Sequence, residues 1–342
     1  PVIAIIHAMQ KDIYKSDYYY ELPEDLIAKY PVKNRTSSKL LHLDGRDIHL
    51  DEFASIQDEL NDDDILIINE TKVIPARLKL KKQTGGSVEL LVLNKINKNV
   101  GNCLTKGLNK KIKEQTLYSD NFPVKIVIVN DHEDSVEIKF SQSIDNLCDA
   151  IGHIPIPPYL NRSDEELDRD RYQSVFANDK HKNSVAAPTA SLHFDTELMS
   201  SLENKLTVCK ISLDIGLGTF KPLKDERITN KSKLHEEDFF ISDSAAKVLN
   251  EAISANKRLV ALGTTALRAL ESAYDISTKK IKSGHQSTNI FIYEGYKFNV
   301  VDSLITNFHL PESSLLMLVS AFAGKENIFN AYKYAIKNKM RF

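Results

Sequence analysis

The chain has 342 residues, of which 42% are hydrophobic, and a formal net charge of −2. Its length exceeds what one hydrophobic core usually supports, so we expect a globular protein of two domains and exclude an intrinsically disordered chain. The three cysteines lie far apart, which excludes a disulfide framework and a cysteine-based zinc site. The N-terminal residues fail as a signal peptide and no apolar run approaches a membrane span, so we expect a cytoplasmic protein that does not contact a membrane.

The charge is unevenly distributed along the chain. Between Arg77 and Lys113 there are ten basic residues and one acid, Glu89, so this segment carries +9 and the rest of the chain −11. A basic module on an acidic body can bind phosphates locally, and such binding weakens as the salt concentration rises. The alternative is a solvated lysine-rich surface without a nucleic-acid partner.

The first half of the chain is dominated by short strands, predicted at 65–68, 76–82, 88–93, 124–129 and 136–140. Turns rich in Gly, Asn and Asp separate them at 84–86 and 130–134, and no helical period lies between. This pattern of short strands and turns predicts a small antiparallel β-barrel or sandwich. We assign it to an inserted domain at 65–151, within a discontinuous catalytic domain formed by residues 1–64 and 152–342.

After residue 152 helices alternate with strands. The proline-rich segment 154–162 predicts an irregular linker. Helices are predicted at 196–205, from the capping residue Ser242 onward, after residue 263, at 311–322 and at 325–339, with strands at 206–215 and 259–262. Alternation of this kind predicts a layered α/β domain, so that the whole chain has a mixed α/β fold class.

The run Gly263-Thr264-Thr265 lies between a predicted strand and a predicted helix. The first residues of a helix have unpaired N–H groups and the positive end of the helix dipole, which suit a carboxylate or phosphate. Arg268 and Glu271 are three residues apart on that helix, where they could hold a carboxylate and a ribose hydroxyl. The alternative is a capped helix with an ordinary ion pair.

A second glycine-rich turn, Gly216 to Phe220, follows the strand 206–215. Gly216 and Gly218 would let the backbone approach a planar ligand, with Thr219 beside it and Phe220 covering it. A plain tight turn is the alternative.

Three histidines lie beside polar residues: His193, His235 next to Glu236 and Glu237, and His309. Histidine titrates near neutral pH and a neighbouring carboxylate can tune it as a base, although each of these is individually more often structural. Their spacing matches no compact metal-binding motif, so we predict no metal.

Seven segments match one family in that family's order and span nearly the whole chain: YELPEDLIAKYP (20–31), NETKVIPARL (69–78), GHIPIPPYLNR (152–162), SVAAPTASLHF (184–194), GLGTFKPL (216–223), GTTALRALES (263–272) and VDSLITNFHLPESSLLMLVSAFAG (301–324). The sequence resembles the S-adenosylmethionine:tRNA ribosyltransferase-isomerase family of queuosine biosynthesis. A chance match to the last segment is very improbable.

This resemblance implies an enzyme that transfers and isomerises the ribosyl group of S-adenosylmethionine onto 7-aminomethyl-7-deazaguanine at the wobble position of tRNA. The product would be epoxyqueuosine in tRNA, with adenine and methionine released and no metal required. It also implies an α/β domain that carries an inserted β-barrel, and we expect a monomer. Two other readings stay open, an S-adenosylmethionine-dependent RNA methyltransferase and a non-catalytic RNA-binding protein.

The resemblance also suggests roles for individual residues. The S-adenosylmethionine pocket is expected to include Asp214, Gly216, Gly218, Thr219, Phe220, Gly263, Thr264, Thr265, Arg268, Glu271 and Asn307. Proton transfer or ribose contact is expected from His193, His235, Glu237 and His309. Contact with the modified nucleotide or the tRNA phosphates is expected from Asn69, Thr71, Lys72, Arg77, Lys79, Lys81 and Lys82.

The chain departs from the family pattern at four positions. The family usually has His where this chain has Asp214 and Ser232, Gly where it has Ser191, and Arg where it has Lys39. The absence of these two histidines has two explanations. One is that the indispensable base is a different residue, and the other is that this protein is a weakened enzyme. Relatives begin near Met9, which we expect to be the natural start, and continue with a short segment beyond the last residue of this chain.

Overall fold

The computed structural model describes residues 12–120, 122–216, 223, 225–229 and 231–342. Within these ranges the helices are α1 (Ile144–Ile151), α2 (Glu166–Arg171), α3 (Thr196–Lys205), α4 (Asp243–Ser254), α5 (Thr264–Ala273), α6 (Ser314–Ala323) and α7 (Lys325–Lys337). The strands are β1 (Ile13–Tyr14), β2 (Lys39–Asp44), β3 (Asp47–Glu52), β4 (Ile65–Asn69), β5 (Lys72–Val73), β6 (Arg77–Lys82), β7 (Ser87–Lys95), β8 (Val100–Lys106), β9 (Glu114–Ser119), β10 (Phe122–Asp131), β11 (Val136–Phe140), β12 (Gly152–His153), β13 (Lys182–Ser184), β14 (Thr207–Leu213), β15 (Arg227–Ile228), β16 (Glu237–Ile241), β17 (Leu259–Leu262), β18 (Tyr274–Asp275), β19 (Lys280–Ile281), β20 (Gly284–Thr288) and β21 (Ser303–Ile305).

A six-stranded sheet forms the centre of the larger domain, in the order β20-β16-β14-β4-β17-β21. Strands β14, β4, β17 and β21 run parallel. At one edge β16 pairs antiparallel with β14, and β20 pairs antiparallel with β16. Every residue of β4 is buried, as expected for a strand covered on both faces. Alternate residues enter different cores: Ile65 and Ile67 pack with α4 to α7, and Leu66 and Ile68 pack with α3. The predicted layered α/β fold is confirmed.

The second unit is a closed antiparallel barrel of six strands. Its order is β6-β7-β8-β11-β10-β9, and β9 pairs back with β6 to close it. Alternate residues such as Leu78, Leu90, Ile126 and Ile138 fill the interior. Helix α1 is capped by the Ser143 side chain and packs its apolar face against this core, so the barrel has its own hydrophobic centre.

The first strand predicted for the barrel belongs to the central sheet, which corrects the prediction. The strand predicted at 65–68 exists as β4, but it lies between β14 and β17 in the central sheet. Its uninterrupted apolar sequence is typical of a strand buried on both faces, whereas barrel strands alternate between interior and solvent. The chain therefore leaves the central sheet after Asn69, later than expected, and the domain limits stay a prediction.

The other predicted elements agree closely with the structure. Helices α3 and α5 have the predicted limits, and α6 begins at Ser314 because the Ser313 side chain caps it. The proline-rich return segment contains only a short 3-10 helix, Pro158–Leu160. In the described ranges, no helix combines the length and the apolar character needed to cross a bilayer.

Candidate ligand-binding edge of the central sheet

The carboxyl ends of the four parallel strands meet at one edge of the central sheet. Strands β4, β14, β17 and β21 all end there, and β16 begins there because it runs in the opposite direction. Ligands of open α/β sheets bind outside the carboxyl ends of strands. The fold thereby places at one edge the predicted residues Asp214, Gly216, Glu237, Gly263, Thr264, Thr265 and Asn307.

Helix α5 begins at this edge directly after β17. Its N-cap, Gly263, has φ of +89°, a conformation that favours glycine, and donates its N–H to the Ile305 carbonyl at 2.8 Å. Glycine has no side chain with which to cap the first turn, so the N-cap residue leaves the first N–H groups of α5 without a side-chain acceptor. These N–H groups lie at the carboxyl edge of the sheet, where an anion would bind.

Arg268 and Glu237 form a buried ion pair beneath this helix start. Their residues are 6% and 5% exposed, and Arg268 Nη1 donates to Glu237 Oε2. The other carboxylate oxygen, Oε1, accepts the Gly216 N–H at 3.1 Å. Among the described residues, Arg268 Nε and Nη2 have no hydrogen-bond partner although both are buried. Because buried donors without acceptors are costly, this guanidinium is suited to receive an anionic ligand group.

The Asn69 side chain joins the ends of β4 and β14. Its Nδ2 donates to the Leu213 carbonyl at 3.0 Å, and its Oδ1 accepts the N–H groups of Leu213 at 3.0 Å and Thr71 at 3.1 Å. Thr71 Oγ1 in turn donates to Asp214 Oδ1 at 2.9 Å. Asn69 and Thr71 are both 0% exposed, so in this structure the two side chains brace the edge from beneath. Their contact with the modified nucleotide or the tRNA stays a prediction.

Asp214 directly follows β14 and is one of the departures from the expected family pattern. Its carboxyl group is largely buried, and this burial raises its pKa, although hydrogen bonds from Thr71 and Asn183 oppose the shift. The Asp214 N–H also donates to the Asp238 carbonyl at 2.9 Å, which holds the start of β16 against the end of β14.

His193 lies over the same edge, on a 3-10 helix at Thr189–His193. Its neighbour Ala190 is in contact range of Gly263. The His193 ring hydrogen bonds with Asn307 and, through Nδ1, with Ser38 Oγ at 3.1 Å. Burial lowers its pKa to about 4. The imidazole is therefore neutral near pH 7, with one ring nitrogen protonated and the other carrying a lone pair.

His309 is more fully enclosed than His193. Its N–H donates to Tyr332 Oη at 2.8 Å, its carbonyl accepts from Tyr20 Oη at 2.6 Å, and its ring Nε2 lies 3.3 Å from Thr306 Oγ1. Burial lowers its pKa to about 4. These contacts hold the segment after β21 in place. His235 is partly exposed and precedes Glu237 by two residues.

Glu271 does not face the proposed pocket. Its carboxylate accepts the N–H groups of Asn299, Val300 and Val301 at 3.0 to 3.2 Å, and the hydroxyl of Tyr296 at 3.2 Å. A position three residues beyond Arg268 is about 4.5 Å further from the helix start. The Glu271 carboxylate thus holds the segment before β21, and its predicted contact with a ribose stays a prediction.

The basic side chains predicted to bind tRNA lie on β5 and β6, which come after the end of β4. Lys72 pairs with Asp179 at 2.6 Å and Lys79 with Asp164 at 2.8 Å, while Arg77 lies 3.5 Å from Glu89 and donates to the Ile156 carbonyl. Lys81 is exposed and Lys82 partly exposed. Local acids thus neutralise part of the basic segment, and its contact with tRNA stays a prediction.

Two residues of the site were missed by the sequence reasoning. His181 stacks on Phe240 with ring centroids 5.7 Å apart, and its Nε2 lies 3.5 Å from Glu70 Oε1. Glu70 lies inside the family segment at 69–78, and His181 precedes the segment at 184–194 by three residues. Their position in or beside these segments could have indicated both residues. The predicted Gly218, Thr219 and Phe220 lie outside the described residues.

The fold and the candidate site together define a class: a layered α/β protein with an inserted β-barrel and polar groups suited to an anion at the carboxyl edge of its central sheet. The sequence profile of a family described as queuosine biosynthesis protein matches residues 15–342. The chain belongs to this family.

Individual relatives match over nearly their whole length. Proteins called S-adenosylmethionine:tRNA ribosyltransferase-isomerase are 43% identical in Acinetobacter baylyi, over 96% of this chain and 95% of the relative, and 44% identical in Caldanaerobacter subterraneus, over 96% of each. The crystal structure of S-adenosylmethionine tRNA ribosyltransferase from Thermotoga maritima is 30% identical, covers 96% of each chain and has a TM-score of 0.52. The family predicted from the sequence segments is confirmed.

Proposed function

We propose that this protein transfers and isomerises the ribosyl group of S-adenosylmethionine onto 7-aminomethyl-7-deazaguanine at the wobble position of tRNA. The product is epoxyqueuosine in tRNA, and adenine and methionine leave. Family membership and the names of the relatives support the reaction class. The buried, partly unpaired guanidinium of Arg268 beside the start of α5 is the observation that carries the donor site.

Arg268 and the first turn of α5 bind the carboxylate of the methionyl group in this proposal. Charge-assisted hydrogen bonds from a guanidinium are stronger than neutral ones, and the helix dipole adds to the attraction. Glu237 holds the guanidinium in position, because Arg268 and the Gly216 N–H share its carboxylate. Gly216 is thereby tied to the helix start on which the ligand rests.

The chemistry needs a proton acceptor near the ribose. The positive sulfonium of S-adenosylmethionine acidifies the adjacent 5′ C–H bond, and the base-linked amine must be uncharged to attack. His193 is neutral near pH 7 and is oriented by Asn307 and Ser38, so we assign it the role of acceptor. His309 holds the neighbouring segment and is assigned a positioning role.

The barrel contributes positive charge for the tRNA backbone. Lys81, Lys98, Lys106, Lys111 and Lys113 are exposed members of the basic segment. Phosphate contacts of this kind position a nucleic acid without reading its sequence. Recognition of the modified base is left to the edge of the central sheet, where the donor binds.

The test is turnover with defined substrates. The protein is incubated with S-adenosylmethionine and tRNA carrying the aminomethyl base; free adenine is assayed and the digested tRNA is analysed by mass spectrometry. Adenine together with epoxyqueuosine is the expected result, and tRNA with unmodified guanine is the matched control that releases no adenine. S-adenosylhomocysteine would indicate an RNA methyltransferase, and tRNA binding without turnover a non-catalytic RNA-binding protein.

A further inference from the structure

Three potential metal ligands meet on the surface hairpin β2-β3, away from the edge described above. His42 and His49 are paired directly across the hairpin, and Glu59 follows a 3-10 helix at Phe53–Asp58. One ligand atom from each of the three residues lies within 4.8 Å of the others. The side chains are 34%, 54% and 34% exposed, so an ion in solution can reach them.

The distances between these atoms suit a small tetrahedral ion. His42 Nδ1 lies 3.0 Å from His49 Nε2 and 3.1 Å from Glu59 Oε2, and His49 Nε2 lies 3.9 Å from Glu59 Oε1. Zinc ligands at bond lengths of about 2.1 Å in tetrahedral geometry are separated by roughly 3.4 Å. The two separations from His42 Nδ1 are slightly below this value, and the third runs to the other Glu59 oxygen. With one atom from each residue within 4.8 Å of the others, rotation of the side chains can bring the three atoms to the spacing that an ion needs.

One ring nitrogen of the cluster, His42 Nδ1, has two polar neighbours that compete for it. His42 Nδ1 is within hydrogen-bond distance of both His49 and Glu59, yet a ring nitrogen carries either one proton or one lone pair. A single proton at this nitrogen cannot serve both neighbours well. A cation at the common point would accept a lone pair from all three groups.

The backbone holds the three residues in place. The hairpin register fixes His42 opposite His49, and Leu40, on the same face as His42, packs against a core that contains Phe53 and Ile56. The Glu59 N–H donates to the Ile56 carbonyl at 3.2 Å, and the Glu59 carbonyl accepts from Arg258 at 2.8 Å. The ligands are therefore presented from anchored segments, which lowers the entropic cost of binding an ion.

We propose that His42, His49 and Glu59 form a surface site for a divalent transition-metal ion, best suited to Zn²⁺, with solvent as the fourth ligand. Two imidazoles and one carboxylate are a donor set that zinc accepts. The ion links the hairpin to the segment after the 3-10 helix. The base of the same hairpin carries Ser38 and Phe53, which contact His193, so the ion stabilises the support of the candidate active site from a distance.

The test measures metal binding to the full chain, freed of any affinity tag and treated with a chelator. Isothermal titration with Zn²⁺ at neutral pH is expected to show one site, and His49→Ala and Glu59→Gln are expected to weaken binding at least about tenfold. His132→Ala removes an exposed histidine that lies 3.8 Å from Glu137 and is the matched control, expected to bind as the wild type does.

A second measurement separates metal loss from misfolding. Zn²⁺ is expected to raise the thermal midpoint of the wild type and of His132→Ala but not of His49→Ala, whose circular dichroism should match the wild type. Co²⁺ is expected to give visible d–d absorption only when His42 and His49 are both present. Equal binding by wild type and His49→Ala, or no saturable binding, would overturn the proposal.

Discussion

Arg268 is the side chain on which the proposed donor site depends. Its Nη1 is committed to Glu237, whereas Nε and Nη2 have no acceptor among the described residues. Long side chains on helices point back towards the N-terminus, which directs this guanidinium to the start of α5. A carboxylate there meets both the positive group and the helix dipole.

Replacing Arg268 with Gln is expected to weaken S-adenosylmethionine binding by about 10- to 100-fold, since charge-assisted hydrogen bonds contribute about 1.5–3 kcal/mol. Isothermal titration of the donor without tRNA measures the effect. Arg227→Gln is the control, because Arg227 is exposed and pairs with Asp12, not with Glu237. Unchanged donor affinity in Arg268→Gln would refute the assigned role.

The two buried histidines couple stability to pH. The pKa values of His193 and His309 are lowered to about 4 in the folded protein, from an ordinary value of 6.5. The unfolded chain therefore binds protons that the folded chain does not between about pH 6.5 and about pH 4. Their stabilising contribution is full above this range and is lost as the pH falls through it, by about 3 kcal/mol for each histidine.

Replacing His309 with Gln is expected to reduce the fall in unfolding free energy as the pH drops from about 6.5 to about 4. Urea unfolding at a series of pH values measures it, and His132→Gln, at an exposed position, should keep the wild-type dependence. A pH dependence identical in His309→Gln and the wild type would contradict the lowered pKa.

At the scale of elements, the barrel is joined to the central sheet at two crossings that lie side by side. The chain enters after Asn69 and returns through β12, which pairs with the start of β6. Gly152 lies at the return crossing, where a Cβ atom would be 2.0 Å from the Pro75 carbonyl oxygen and 2.3 Å from that of Cys148. Two backbone segments therefore leave no space for a side chain there.

Substituting Gly152 with Ala is expected to destabilise the protein by about 2–4 kcal/mol, because backbone atoms must move to relieve the clash. Chemical unfolding followed by circular dichroism gives the change. Gly86→Ala is a matched control, since a Cβ at Gly86 would meet only the Lys82 side chain, at 3.5 Å. Equal stabilities of the two variants would contradict the close backbone packing around Gly152.

At the scale of the whole molecule, the segregated charge bears on tRNA binding. Several lysines of the basic segment pair with acids, including Lys79 with Asp164, Lys95 with Asp145 and Lys110 with Asp131. A lysine engaged in such a pair is less able to neutralise an RNA phosphate and to release the counterion held there. The effective charge presented to RNA is thus smaller than the +9 of the sequence segment.

The affinity for tRNA is expected to fall as the salt concentration rises, and the double variant Lys81→Gln, Lys82→Gln should lower the slope of log K against log salt by about 1 to 2. Filter binding or anisotropy at several salt concentrations measures it. Lys247→Gln, exposed on α4 and near Glu251, is the control and should keep the wild-type slope. The same slope in all three proteins would place the RNA elsewhere.

The sequence by itself determined the local elements and the family. Periodicity and capping residues predicted helices such as α3 and α5, and the spacing of short strands predicted a barrel, because these features depend on neighbours a few residues away. The glycine turn at Gly263 was also visible, since it lies between a strand and a helix. Sequence reasoning placed β4 in the wrong sheet, because strand partners are set by contacts distant in the chain.

Only the tertiary structure decided which polar groups meet. Asn69 and Leu213 are 144 residues apart, and Arg268 and Glu237 are 31 apart, yet the carboxyl edge of one sheet brings each pair into contact. Glu271 shares the helix of Arg268 but is directed to another segment, and no spacing rule separates these outcomes. The cluster of His42, His49 and Glu59 has the same origin, since strand register and a packed 3-10 helix, not a compact motif, bring its ligands together.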